Sequence, residues 1–548
     1  MIAVGSLAQW LAAHRLAVVL FAALSVVHTW PLATDPATWS LNDNGDAQLN
    51  EWILAWIVHQ LPRDPANLFN ANIFHPARGS LAFSEPLIVP AILGAPVFWL
   101  GGSPVLAYNL LVLLGFTLTG LATYALVFSW TRDRPAALVA GAIFAFNTHT
   151  LTRLPHLQAI HAYGLPLALL FTDRLIREPR AGIACGLGIT MAVMACTSGY
   201  LVVFATIGIA VALIVRVREW RRRARPVVFA FALAAVVAGL LSLPVALPYR
   251  NVAVEHGMVR SLENVRQFSA SLTGYLASTG RVHSGTWSAQ FLRNPVDTFF
   301  PGVVAILLSA AAVWRASRFG VHASRVLMVS CIGLVGLVLS LGVKTPIYGW
   351  LFAVFPPMQS LRAAARFGNL FLLGIAILAG AGLAGLRGGL PEGWRRKTLA
   401  VAAVVLVSLE ALRAPFEYRR FDGIPAIYEL LAQEAGPVVL AEMPFYPAPA
   451  AFRNAEYVLN STAHWRPLMN GYSGYTPASY RRVAPIFWAF PREHAIQAMR
   501  GAGVTHFTVH PDRFGARAQE TIEALSGRTD VELLAIAAGA GTRLYRFR

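Results

Sequence analysis

PVLAYNLLVLLGFTLTGLATYALVFSW, residues 104–130, contains no Asp, Glu, Lys or Arg. About 20 apolar residues suffice to cross a ~30 Å hydrocarbon core, and this run exceeds that. Comparable runs recur at 14–33, 135–153, 157–176, 181–198, 200–217, 226–248, 301–317, 323–341, 367–387 and 397–413. Composition agrees: the chain is 56% hydrophobic and 13% charged, against ~25% charged in a soluble domain. We read a polytopic α-helical membrane protein with about 11 transmembrane helices. The first run lacks a small-residue cleavage site and reads as a retained span. LIVPAILGAPVFWLG (87–101) is too short and too rich in Pro and Gly for a span; it reads as a re-entrant or interfacial helix.

The net charge is +18. In a soluble protein that excess would suggest nucleic acid. Here the arginines lie between apolar runs and act as topology signals, so no nucleic-acid partner is expected. With the N-terminus cytoplasmic, one side collects Arg132 and Arg134; Arg174, Arg177 and Arg180; the cluster 216–225; Arg315, Arg318 and Arg325; and Arg387, Arg395, Arg396 and Lys397. Counting 87–101 as a span would scatter them. The outer side then carries 34–103, 249–300, 342–366 and everything beyond about 414. Cys185, Cys196 and Cys331 fall inside apolar runs, which argues against a structural disulfide or a cysteine metal site. No Walker motif is present, against an ATP-driven pump, and no zinc-type His/Cys spacing occurs.

The division expected is a membrane domain, 1–414, with a long first outer loop (34–103), and a soluble α/β domain, 415–548. In the tail, VVLAEMPF (438–445), VTHFTVHP (504–511) and the stretches 531–538 and 542–548 read as strands. IPAIYELLAQEAG and PREHAIQAMRGAG read as helices ending at Gly.

Several short motifs stand out on the outer side: the pair Gly45-Asp46 opening AQLNEWILAWIVHQL; NANIFHPARGSLAFSEPL (70–87); a span ending at Arg132 and Arg134; and RAAARFG (362–368) opening a late span. With a soluble domain after the last span, this pattern resembles the GT-C glycosyltransferases. These membrane enzymes take a sugar from a polyprenyl-phosphate or pyrophosphate carrier, and they include protein O-mannosyltransferases, lipid A aminoarabinose transferases and oligosaccharyltransferases. STAHWRPLMNGYSGY (461–475) is similar to a motif of uncharacterised bacterial members. The resemblance implies an inverting glycosyltransferase in the bacterial inner membrane, working on its outer face with an extracytoplasmic C-terminal domain. The donor would be a polyprenyl-linked sugar. The acceptor would be a glycan, lipid or protein, with membrane lipids as surroundings.

The resemblance places Asp46 where acceptor and anomeric carbon meet, as general base. Its alternative is the N-cap of the amphipathic helix that follows, with Leu49, Ile53, Trp56, Ile57 and Leu61 near one face. Asp43 shapes the turn DNGD or joins Asp46 in holding a divalent cation, Mg or Mn; no cofactor is otherwise expected. Glu51 reads as a solvated helix-face charge. Glu85 is a second candidate carboxylate, or a helix N-terminal charge. Arg362 and Arg366, four apart on one face if helical, lie against the positive-inside trend. A lipid phosphate explains them, with Lys344 nearby. His75, Arg78, His156 and Tyr200 are cavity candidates, and His464, Trp465 and Arg466 are acceptor candidates, each with ordinary packing or solvation as the alternative. Two rival functions are a lipid-linked-sugar flippase or transporter, which would want charges at mid-membrane, and a non-catalytic envelope assembly protein.

Overall fold

A computed structural model describes residues 4–41, 44–258, 260–293, 297–314, 323–539 and 541–548. It divides into two compact units. The first comprises Met1–Asp35, Leu110–Leu247 and Gly257–Glu417; the second comprises Pro36–Asn109, Pro248–His256 and Tyr418–Arg548. Residues 36–109 cluster with 248–256 and 418–548 in the second unit.

Helices stand at each of the eleven expected places: Arg15–His28, Pro104–Thr131, Arg134–Ala145, Gly164–Arg177, Ala181–Ala195, Gly199–Val215, Ala224–Glu255, Val303–Trp314, Ala323–Ser340, Gly368–Gly388 and Trp394–Ala411. Among the described residues, four segments are long and apolar enough to cross a membrane: Pro104–Thr131, Val217–Glu255, Ala323–Ser340 and Ala364–Gly388. Several others run 12 to 17 residues, a reach of ~18–26 Å. The run 135–153 is broken. Its helix ends at Ala145, and the Asn147 side chain caps a new turn by accepting from the Thr150 N–H at 2.8 Å. The run 157–176 forms a single turn, Leu157–Ile160, and restarts at Gly164. The segment 87–101 is a 12-residue helix, Ile88–Trp99.

Small residues let the first unit's helices approach closely, the packing mode available where lipid removes any hydrophobic driving force. A Cβ on Gly382 would lie 1.9 Å from the Leu308 carbonyl oxygen, and one on Gly374 would lie 3.0 Å from the Gly333 Cα. Helix Gly368–Gly388 therefore sits deep among its neighbours, whereas Val217–Glu255 is mostly uncovered. Several basic residues taken as topology signals share one carboxylate. Asp173, fully buried, receives Arg216 at 2.6 Å, Arg325 through two bonds at 3.0 and 2.9 Å, Arg177 at 2.8 Å and the Trp130 indole at 3.1 Å. A buried charge is tolerable only when paired and hydrogen-bonded in this way. Arg315 and Arg318 lie outside the described residues.

The second unit contains a four-stranded sheet. Leu440–Met443 pairs in parallel with His506–Val509, which pairs antiparallel with Arg543–Phe547, which pairs antiparallel with Val531–Ile536. These are the four tail stretches rich in β-branched and aromatic residues. Segment 72–75 is tied to this sheet through the tail motif. Leu440 N–H donates to the Pro467 carbonyl at 2.9 Å and Met469 N–H to the Leu440 carbonyl at 2.8 Å. Leu468 N–H then donates to Asn72 at 2.7 Å, His75 N–H to Leu468 at 3.0 Å and Phe74 N–H to Asn470 at 3.1 Å. Segment 72–75, irregular and with Phe74 at a φ of 60°, is thus hydrogen-bonded to 467–470. A second tie pairs Trp39–Ser40 with Arg419–Arg420.

Candidate functional site

In the second unit, helix Gly45–Gln60 begins at Asn44, whose side chain accepts from the Asp46 N–H at 2.9 Å. Asn44, not Asp46, is therefore the N-cap. Asp46 sits in the first turn, where the helix dipole favours a carboxylate. Its Oδ1 accepts from the Tyr472 hydroxyl at 2.6 Å. Gly45 makes the approach close: a Cβ there would be 3.1 Å from the Phe452 carbonyl oxygen and 3.3 Å from the Tyr472 ring. Tyr472 belongs to the quoted tail motif, but only the fold pairs it with Asp46.

The helix is buried all round from Ala47 to Ile57, so the one-faced amphipathic reading does not hold. Glu51, expected on a solvated face, is fully buried, and burial pushes its carboxyl well above the ordinary carboxylate range. Asp46 and Glu51 both act electrostatically on the buried Tyr108 hydroxyl, which Asn50 hydrogen-bonds. Beyond them Asn72 accepts from the Trp52 indole at 3.2 Å and donates to Ser461 Oγ at 3.1 Å. The carboxylates, Tyr108 and the tail motif thus form one polar cluster inside this unit.

The other candidates of this unit are placed as follows. Glu85 is half-buried within Coulombic range of Tyr249, whose hydroxyl donates to the Ser84 carbonyl. His75 is half-buried and its pKa is lowered by burial; Arg78 is exposed. Arg466 spends its guanidinium on the Leu431, Ala432 and Glu434 carbonyls at 3.1, 3.2 and 2.8 Å. It thereby caps helix Ile427–Gln433. His464 is buried; its Nδ1 accepts from the Arg466 N–H at 2.9 Å, and burial holds its pKa at about 4. Trp465 adopts a left-handed φ of 56° and stacks on His59 at 4.2 Å. A bulky residue in that region is a genuine outlier.

In the first unit, Tyr200 organises the basic loop. Its hydroxyl accepts the backbone N–H groups of Arg362 and Ala363 at 3.1 and 3.0 Å. The Arg366 guanidinium lies over the Tyr200 ring at 4.5 Å, and Arg362 over Phe268 at 5.2 Å. The two arginines do not share a helical face: Leu361 is extended, and Ala364–Phe367 is a short 3-10 turn. Tyr200 brings them together instead. Arg362 is exposed and Arg366 half-buried. Lys344 donates to the Ala270 carbonyl at 2.7 Å, while the Phe268 carbonyl accepts the Ala365 N–H at 2.9 Å. One backbone stretch, 268–270, therefore braces both basic loops. Asp297, which no motif marked, is buried, with Arg153 and Lys344 acting on its raised carboxyl pKa; burial is the larger cause. His156 is half-buried in the turn before Leu157–Ile160.

Among the described residues no group of three His, Cys, Asp or Glu could hold a metal ion. Asp43, the other half of the expected Asp43–Asp46 ligand pair, lies outside them.

No protein-family model matches the chain, and no curated protein does. Among solved structures, the arabinofuranosyltransferase AftD from mycobacteria superposes with a TM-score of 0.62 at 16% identity, covering 98% of this chain and 40% of AftD. ArnT from Cupriavidus metallidurans, bound to undecaprenyl phosphate, gives 0.49 at 13% identity over 99% of this chain and 98% of ArnT. The oligosaccharyltransferase AglB from Archaeoglobus fulgidus, in complex with an inhibitory peptide and a dolichol-phosphate, gives 0.46 at 12% identity over 94% and 72%. The chain thus spans about 40% of the length of AftD. At this identity the likeness to AftD shows a shared fold.

Proposed function

We propose, from that fold, that the chain is an inverting glycosyltransferase. It moves a sugar from a polyprenyl-phosphate or pyrophosphate carrier to an acceptor on the outer face of the cytoplasmic membrane, with about 11 spans and the tail outside. The observation that carries this reading is Asp46, set in a helix first turn and gripped by Tyr472 at 2.6 Å. A carboxylate fixed in that way is an oriented base. In the step, an acceptor hydroxyl or amine attacks C1 of the sugar. Its proton passes to Asp46, the C1–O bond breaks, and the electron pair leaves with the lipid phosphate. General base catalysis of this kind contributes about 10²–10⁴-fold.

Arg362 and Arg366 serve the phosphate end. Guanidinium groups take phosphate oxygens bidentately and stay charged throughout. Tyr200 sets their loop by holding two consecutive N–H groups, and Lys344 adds a cation on the same brace. Glu85, His75 and Trp465 stand as acceptor-side candidates of the second unit. Arg466 and His464 support the backbone there through their hydrogen bonds. A divalent cation at Asp43 and Asp46 stays part of the proposal, tested by chelation.

The test replaces Asp46 with Asn in the full-length protein and follows transfer from polyprenyl-linked sugars in membranes. The expected result is loss of transfer with insertion and folding unchanged. Full activity of a folded Asp46→Asn protein would overturn the assignment. Sugar-lipid translocation without transfer would support the flippase reading instead.

A further inference from the structure

The arginines at one end of the first unit surround a cavity of about 230 Å³, lined by Arg174, Arg177, Glu178 and Ile183. It lies where helix Gly164–Arg177 passes to helix Ala181–Ala195. Positive-inside statistics account for arginines near a membrane edge but do not call for a cavity between them. We propose that this cavity is a binding site for the headgroup of an anionic phospholipid.

Four observations carry it. Arg177 is held in place: its Nη2 sits 2.8 Å from the buried Asp173, so its guanidinium is ordered in advance of any ligand. The acidic wall is already matched, with Glu178 3.1 Å from Arg180. Arg174 is exposed and, among the described residues, makes no ion pair, so its charge is available. The cavity also adjoins a lipid-facing surface. Arg223 reaches the Arg177 carbonyl at 3.2 Å, and the turn Arg221–Arg223 leads into the helix Ala224–Glu255. Val228 and Phe229 near its start are 58% and 72% exposed. Gly188 of the cavity's own second helix packs against Ala234 and Val237 of the same helix.

A phosphate among fixed arginines beside exposed apolar residues fits an amphiphile better than a soluble anion. The headgroup enters between Arg174 and Arg177, and the acyl chains lie along Ala224–Glu255. Basic pockets between membrane helices take anionic headgroups on these grounds.

The test uses the full chain reconstituted in phosphatidylcholine nanodiscs with or without phosphatidylglycerol. Thermal midpoint and retained lipid, the latter by native mass spectrometry, are the readouts. Phosphatidylglycerol should raise the midpoint and stay bound. Arg174→Gln should weaken retention about fivefold, and Arg395→Gln, the same charge loss in another basic loop, should leave it intact. Ile183→Trp, which fills the cavity while sparing every arginine, should also expel the lipid and guards against a misfolded Arg174 variant. Equal weakening by Arg174→Gln and Arg395→Gln would overturn the proposal in favour of diffuse charge. A midpoint shift of the same size from inorganic phosphate in phosphatidylcholine discs would overturn the lipid assignment, as would no response to phosphatidylglycerol.

Discussion

The Tyr472 hydroxyl donates to Asp46 Oδ1 at 2.6 Å, joining a residue of the tail to one 426 positions earlier in the chain. A hydrogen bond to a charged group is worth about 1.5–3 kcal/mol, and here it also orients the carboxylate. Tyr472→Phe should therefore lower kcat by roughly tenfold to a hundredfold and leave the thermal midpoint within a few degrees. Steady-state kinetics on purified protein would check it. An unchanged kcat would show that Asp46 needs no such support.

Tyr200→Phe should act on the other end of the reaction. It strips the acceptor from two backbone N–H groups, those of Arg362 and Ala363, each bond worth about 1 kcal/mol. The loop carrying both arginines then loosens. The expected outcome is a rise in donor KM of about tenfold with a smaller change in kcat, and this KM-against-kcat split separates it from Tyr472→Phe.

Glu51→Gln should not destabilise the protein at neutral pH. The carboxyl of Glu51 is raised well above its usual range by burial. A raised folded pKa means the folded state holds its proton more tightly than the unfolded chain does. The stability this gives is present at low pH and is lost as pH rises from the unfolded value through the folded one. The amide keeps the neutral shape at every pH, so the variant should gain most in melting temperature at high pH. A fall in midpoint at pH 8 relative to wild type would contradict the assignment.

His464 predicts the opposite slope. Its folded pKa is about 4 against an ordinary 6.5, so it is buried neutral, with Nδ1 accepting the Arg466 N–H. Acidification from about 6.5 to about 4 protonates the unfolded chain first and removes stability, up to about 3 kcal/mol. His464→Asn should flatten the decline of the midpoint across that window, measured by thermal melts in a pH series.

Gly382→Ala should be costly although it adds one methyl group. That methyl would land 1.9 Å from the Leu308 carbonyl oxygen, so helices Val303–Trp314 and Gly368–Gly388 must part. Overpacking of this kind costs about 1–3 kcal/mol. A clear drop in thermal midpoint is expected, whereas Gly388→Ala, where the added atom meets nothing within 4 Å, should be nearly silent.

What the sequence made legible follows from range. The apolar runs locate helices because a helix shows its burial locally. The four tail strands are legible because residues such as Thr508, Val531 and Tyr545 favour a pleated strand. The break after Ala145 has a local signal, the polar stretch Asn147 to Arg153, in which the Asn147 side chain caps a new turn. Glu51 reads as a surface charge because a helix buried on every side has no polar face to betray it. Arg466 lies in a string of Trp, Asn and Tyr that resembles a sugar site, and only three-dimensional contact shows its donors on the carbonyls of helix Ile427–Gln433. The pairing of 72–75 with 467–470 has no local signature at all.

That pairing bears on biosynthesis. Asp46 and Tyr472 are 426 residues apart, and a ribosome adds about 5–20 residues per second. The loop holding the proposed base is therefore made roughly twenty seconds to a minute and a half before its tail partner. Until then its backbone from Asn72 to His75 lacks its edge partners, and the carboxylate lacks its tyrosine. Completion of this unit therefore waits for synthesis of its tail segment, which supplies Tyr472 and the sheet strands from Leu440 to Phe547.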